Sequence, residues 1–302
     1  MGVDKRVVIV GAGSAGLVCA INLARAGMDV TLLEHASSPG GASSSGQLTL
    51  PGFVHDHCAG FNPMTVASPA MRELDLEAEG LRWMHPKTIM SHPFEDGTAI
   101  ALHHDLGTTV ASLEAAQTGA GASWQKLIEQ YRPLAAKLVE TILGSLAPAR
   151  PPLELAVKLR RDGLLLARRM AGSAEAFGLD VFDGASRPTA WLSGSAQHSG
   201  LPPSAAGSGA FGFLLQLLAH SHGWPFPVGG QGQIPEALIR IANRDGVVVR
   251  CDAHVERILV RGGRAAGVAL SDGEEIPARD VITTISAQPW PRCFLMTRSP
   301  ID

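Results

Sequence analysis

The sequence predicts an α/β fold that carries a largely helical insertion. Three observations predict it. The chain opens with a strand, a glycine turn, a helix and a second strand. Residues 76–224 are rich in Ala, Leu and Arg at helical spacing, and strand periodicity then returns after 225.

Arg6 to Val10 is an apolar run of strand length, and Gly11-Ala12-Gly13-Ser14-Ala15-Gly16 follows it directly. In that context each glycine has a physical task. Gly11 allows the tight turn, Gly13 lets backbone approach a pyrophosphate, and Gly16 lets the helix pack close to the strand. Free amide N–H groups and the positive dipole end of the helix then face the phosphates. Glu34 ends the next apolar run, Met28 to Leu33, and can accept both ribose hydroxyls of an adenosine. No Arg follows it to hold a 2′-phosphate, so ADP-ribose lacking that phosphate is preferred. Glycine-rich turns also occur for packing alone, but here strand, turn, helix, second strand and acid coincide. The opening therefore reads as a Rossmann-like FAD/NAD(P)-binding unit.

Ala36 to Gly46 is too rich in Ser and Gly to build an element of its own. It reads either as a flexible linker or as a second backbone loop, in which Gly40, Gly41 and Ala42 reach the pyrophosphate from the other side. Helical spacing then predicts helices over Ser123 to Leu146, Leu153 to Met170 and Ala205 to His220, with a short strand at Thr98 to Leu102. Ala205 to Ala219 reads as a buried or interfacial helix. Arg160, Arg161, Arg168 and Arg169 form a basic face on the second helix: a solvated surface, or one turned to a membrane or partner. Strands are expected at Val247 to Arg250, Ala253 to Arg261, Arg264 to Leu270, Glu275 to Pro277 and Val281 to Thr284. Turns at Gly262-Gly263 and Asp272-Gly273 imply a meander on a parallel sheet. The expected organisation is a discontinuous dinucleotide-binding domain, 1–75 with 225–290, an inserted helical substrate or cap domain, 76–224, and a tail, 291–302.

A net charge of −3 supplies no basic field for nucleic acid. Cys19, Cys58, Cys251 and Cys293 lie far apart, which fits reduced thiols in a cytoplasmic compartment and no metal cage. No signal peptide or membrane span is read in the sequence. The serines lack a Gly-x-Ser-x-Gly elbow, so a serine hydrolase is unsupported. No catalytic acid or base stands out, and His57 is the one histidine singled out. Phe211, Phe213, Leu214 and Leu217 read as core, or as the lining of an apolar substrate pocket.

Three ordered blocks resemble the FAD-dependent oxidoreductases that include phytoene desaturases, carotenoid isomerases and the amine oxidase group. They are Val8 to Gly41, the segment Pro51-Gly52-Phe53-Val54-His55-Asp56-His57-Cys58-Ala59-Gly60, and Trp224 to Thr284 with its Pro227-Val228-Gly229-Gly230-Gln231-Gly232 loop. Pro202-Pro203-Ser204-Ala205 and His220 to Pro225 are similar to the pyridine nucleotide-disulfide oxidoreductase domain-containing protein 2-like subgroup. The resemblance implies FAD as cofactor. It implies that Gly11, Gly13, Ser14, Ala15, Gly16 and Glu34 hold the ADP half, that Gly40, Gly41 and Ala42 lie near the pyrophosphate, and that the Val255 backbone touches adenine. It further implies hydride transfer from a C–H bond of a small apolar, isoprenoid or lipid-like substrate.

Members of that family continue past the point where this chain stops, into a late glycine-rich segment beside the flavin ring. The chain is thus expected to be C-terminally truncated: a fragment, an early-terminated frame, or half of a split protein with a C-terminal partner chain. Peripheral membrane contact stays open. Two other readings stand beside the oxidoreductase: a nucleotide-binding remnant without turnover, and an NAD-dependent dehydrogenase, which would need a separate substrate domain after the nucleotide fold.

Overall fold

The computed structural model describes residues 5–143 and 162–285. Contacts group the chain into two compact units. One comprises the residues up to Gly60, Leu74–Trp83 and those from Phe226 onward; the other comprises Phe61–Glu73 and Met84–Pro225.

The first unit is built on a four-stranded parallel sheet in the order Asp280–Thr283, Arg6–Val10, Asp29–Leu33, Val248–Arg250. Val7, Val8, Ile9 and Val10 are all buried, as an interior parallel strand requires, which explains why this run is continuous rather than alternating. The Ser14–Arg25 helix ends where Gly27 takes φ +81°, its N–H donating to Ala24 O at 2.9 Å, and the chain turns into the second strand. That helix packs against the Gln233–Arg244 helix, and Arg25 meets Asp245 at 2.6 Å. Val255–Arg261, Arg264–Leu270 and Glu275–Pro277 form an antiparallel meander, after which the chain rejoins the parallel sheet. Val8, Val10, Leu33, Val268 and Leu270 share one core. The fold is therefore α/β, with the parallel sheet and the meander where strand periodicity returns.

The second unit is mainly helical. The Ala99–His103 strand, expected at Thr98 to Leu102, pairs antiparallel with Thr88–Pro93. Two helix expectations need correction. The helix expected over Ser123 to Leu146 begins at Ala120 and is interrupted by a 3-10 turn at Arg132–Leu134, because Pro133 cannot donate an interior hydrogen bond; it resumes as Ala135–Leu143. Ala205 to His220 is shortened to Ser208–Ser221, since Gly207 at φ +84° holds the chain outside helical space. Of Leu153 to Met170, the portion before 162 lies outside the described residues, and 162–171 is helical.

Trp124, Trp191, Trp224, Phe177 and Phe213 anchor this unit's core. The Ser208–Ser221 helix is buried along most of its length, Gln216 included, so Phe213, Leu214 and Leu217 are core while Phe211 is exposed. Gln216 is accommodated because its amide donates to Trp191 O at 3.3 Å and to Ser195 Oγ at 3.0 Å. Of the basic face, Arg160 and Arg161 lie outside the described residues, Arg168 is exposed, and Arg169 pairs with Asp180 at 2.6 Å. Among the described residues no helix is long and apolar enough to cross a membrane.

Candidate dinucleotide site

The glycine turn sits at the C-terminal edge of the parallel sheet, where ligands of open α/β sheets bind. Gly11 has φ +103°, a conformation that L side chains avoid, and its N–H donates to Leu33 O at 2.8 Å. A Cβ at Gly16 would stand 1.9 Å from Gly11 O, so the helix can approach the turn only without one. Gly13 differs: its backbone is extended at φ −68°, ψ 173°, and a Cβ there would meet nothing within 4 Å. The absence of a side chain at Gly13 thus serves open space rather than packing. Ser14 and Ala15 begin the helix. No side chain caps it and its first turn carries no acid.

Gly40 lies across from Gly13 in an isolated parallel bridge, its N–H donating to Ala12 O at 2.9 Å. Gly41 has φ +56°, and a Cβ on it would come within 3.3 Å of Gly13 Cα. The Ser/Gly loop is consequently a second wall of the turn, and the linker reading is withdrawn. Ser14 Oγ donates to Ser43 Oγ at 3.3 Å, and Ala42 O accepts from the Ala59 N–H at 3.2 Å.

Glu34 is fixed at four points. Its N–H donates to Arg250 O and its carbonyl accepts from the Ala253 N–H, each at 2.8 Å. Its Oε2 accepts from the Ala12 N–H at 2.8 Å and its Oε1 from the Ala36 N–H at 2.9 Å. A carboxylate oxygen has two lone-pair sites, so each oxygen retains one for a further donor. Val255 opens its strand half-buried, in register with Leu270.

Sequence reasoning missed the residues that join these pieces. Thr284 Oγ1 donates to Gly11 O at 2.9 Å, closing the turn from the last strand. Asp56 Oδ1 accepts from Ser45 Oγ and from the Gln231 N–H, each at 2.7 Å, and the Gly232 N–H donates to Ser45 Oγ at 2.8 Å. This knot joins the second and third sequence blocks and ties to them Ser45, four residues beyond the first. The only signal was that Asp56 and Gln231 lie within those blocks.

His57 Nδ1 shares a hydrogen bond with Ser44 Oγ at 2.8 Å, and His55 Nε2 one with Thr49 Oγ1 at 2.7 Å, so each serves the hairpin between Ser45–Gly46 and His55–Asp56. Among the described residues no group of three or more His, Cys, Asp or Glu is placed to hold a metal, and Cys19, Cys58 and Cys251 are free thiols. A cleft of about 1010 Å³ lined by Arg6, Met28, Arg264 and Asp280 opens at the opposite, N-terminal ends of the strands, away from the glycine turn.

Residues 14–292 match the family described as flavin containing amine oxidoreductase. The chain belongs to the flavin containing amine oxidoreductase family. The match begins at Ser14, so Gly11 and Gly13 precede the matched span. The chain is 31% identical over 285 residues to a zeta-carotene-forming phytoene desaturase of Myxococcus xanthus, covering 92% of this chain and 53% of that protein. It is 32% identical over 289 residues to a hydroxyneurosporene desaturase of Cereibacter sphaeroides, covering 92% and 55%. The chain therefore spans about half the length of these two relatives. An oxidoreductase from Methanosarcina mazei shares its fold with a TM-score of 0.63 at 17% identity, over 94% of this chain and 62% of the other.

Proposed function

We propose that the chain binds FAD at the glycine turn and serves a phytoene desaturase-like oxidoreductase acting on a C–H bond of an apolar, isoprenoid or lipid-like substrate. The observation that carries this reading is Glu34, whose carboxylate is held between the Ala12 and Ala36 amides beside the open face of Gly13. The residues fit the ADP half of such a cofactor. Gly11, Gly13, Ser14, Ala15 and Gly16 border the pyrophosphate, Gly40, Gly41 and Ala42 approach it from the other side, Glu34 takes the ribose hydroxyls, and the Val255 backbone meets adenine. FAD, when bound, supplies the hydride-accepting ring. This chain's part is to orient the adenosine through Glu34 and to stabilise the pyrophosphate charge with uncapped helix amides. The relatives' names support a carotenoid-like substrate, and the resemblance of Pro202 to Ala205 supports the protein 2-like subgroup.

The test is an absorbance spectrum of the purified chain, before and after FAD is added, beside that of Gly13→Trp. A Cβ at Gly13 meets no atom within 4 Å, so the side chain leaves the backbone without a clash and blocks approach to it. Flavin bands in the parent, with affinity at least about tenfold weaker in the variant, are expected; a tenfold loss is about 1.4 kcal/mol. Absence of flavin from both would overturn the reading. Binding of ADP without flavin would favour a nucleotide-binding chain without turnover, which the partial coverage of the relatives supports.

A further inference from the structure

Arg6, Arg261, Arg264 and Arg279 come from separate stretches of the chain, yet all four line the cleft at the N-terminal ends of the parallel strands. Asp280 is the one acid among the residues lining it. Backbone pairing sets the arginines in twos. Arg261 and Arg264 are direct partners across the Gly262-Gly263 turn, and the Arg279 N–H donates to Arg6 O at 3.0 Å. Like charges placed directly opposite each other on neighbouring strands destabilise a sheet. Carboxylates offset this only in part. Arg261 meets Glu275 at 3.4 Å and Arg279 meets Asp280 at 3.5 Å, and both pairs are exposed, where such contacts contribute little. Arg264 forms no ion pair among the described residues.

The rest of the lining is mainly apolar. It includes Leu23 from the first helix, Met28 from the turn after it, and Val281 and Ile282 from the last parallel strand, all half-buried, while the four arginines are exposed. A basic rim over an apolar floor is complementary to a molecule with an anionic head and an aliphatic body. Guanidinium groups bind phosphate through paired parallel N–H donors, and the aliphatic part is stabilised by leaving water. A bare anion would leave the floor uncovered, and a neutral aliphatic molecule would leave the like-charged arginines unrelieved.

We propose that this cleft is a second ligand site, one that takes a single amphiphile made of a phosphate head and a short aliphatic body. It lies at the opposite end of the strands from the glycine turn, so it stands independently of the dinucleotide reading.

Calorimetric titration of the full chain at pH 8 with octyl phosphate, inorganic phosphate and octanol tests it, in the parent and in Arg264→Glu. Octyl phosphate is expected to bind the parent at least about tenfold more tightly than either half of the molecule does. Arg264→Glu is expected to weaken it by about tenfold or more, and excess FAD to leave it unchanged. Arg264→Glu sets an acid opposite Arg261 in place of a like charge, so its urea midpoint should be no lower than the parent's, which separates lost binding from a lost fold. Equal affinity in parent and variant would overturn the proposal. Displacement of octyl phosphate by FAD would also overturn it, because the phosphate would then sit at the glycine turn. Sedimentation with phosphatidic acid vesicles separates the other source of the same head group: a parent that sediments with the vesicles but binds no free octyl phosphate recognises a charged surface, and the single-amphiphile site fails.

Discussion

At the scale of single residues, the glycines of the turn separate into two kinds. Gly16→Ala drives a methyl into Gly11 O and is expected to cost about 1–3 kcal/mol, as overpacking does, visible as an earlier urea midpoint. Gly13→Ala meets open space and ordinary φ, so its stability should stay within about 0.5 kcal/mol of the parent. The motif was legible because each glycine answers to a backbone constraint. Position within the turn already set a packing demand at Gly16 apart from backbone approach at Gly13. His220 illustrates what a sequence conceals altogether. Burial lowers its pKa from the usual 6.5 to about 4. Its Nε2 accepts from the Trp124 indole at 3.1 Å, and its Nδ1 lies 3.4 Å from His104 O. The folded chain thus holds it neutral, while the unfolded chain takes up a proton as pH drops below 6.5. Stability is therefore lost between about pH 6.5 and about 4, by roughly 3 kcal/mol at most. Urea unfolding at pH 7.5 and 4.5 should show a smaller loss in His220→Gln than in the parent.

At the scale of elements, strand and helix types followed from periodicity, whereas their limits followed from chemistry that periodicity does not report. Pro133 and Gly207 each redrew a helix through the backbone. The Thr88–Pro93 strand escaped notice because its residues are exposed or half-buried and show no apolar alternation. The joining of the second and third blocks through Asp56 was equally invisible, because a carboxylate's partners lie far along the chain: Gln231 is 175 residues away. Asp56→Ala leaves the Gln231 N–H and Ser45 Oγ without that acceptor. Hydrogen exchange is expected to speed up at the Gln231 amide while the Val8 and Ile9 amides, in the central strand, keep their protection.

At the scale of the whole molecule, the α/β class and the place of the glycine turn were both legible in the first forty residues, since a parallel strand, a glycine turn and a terminal acid constrain one another. Substrate chemistry was not, because the aromatic residues of the middle region fill a core. FAD at a hundredfold excess over its dissociation constant should add about 2.7 kcal/mol to the parent's stability, read as a raised urea midpoint, and about 1.4 kcal/mol or less to that of Gly13→Trp. The hairpin tip exposes Leu48, Leu50, Phe53 and Val54, a patch suited to an apolar partner surface, membrane or chain. Sedimentation with neutral lipid vesicles, compared with the Leu50→Ser/Phe53→Ser variant, distinguishes the two: only a lipid contact would bring the parent down with the vesicles.

The Trp124–His220 bond also has an optical consequence. Trp124, Trp191 and Trp224 are shielded from water in one core, so their emission reports that core, and a charged imidazole on the Trp124 indole nitrogen would quench it. A fall in fluorescence on acidification, ahead of any red shift, would mark the arrival of a proton at His220 before the surrounding structure opens.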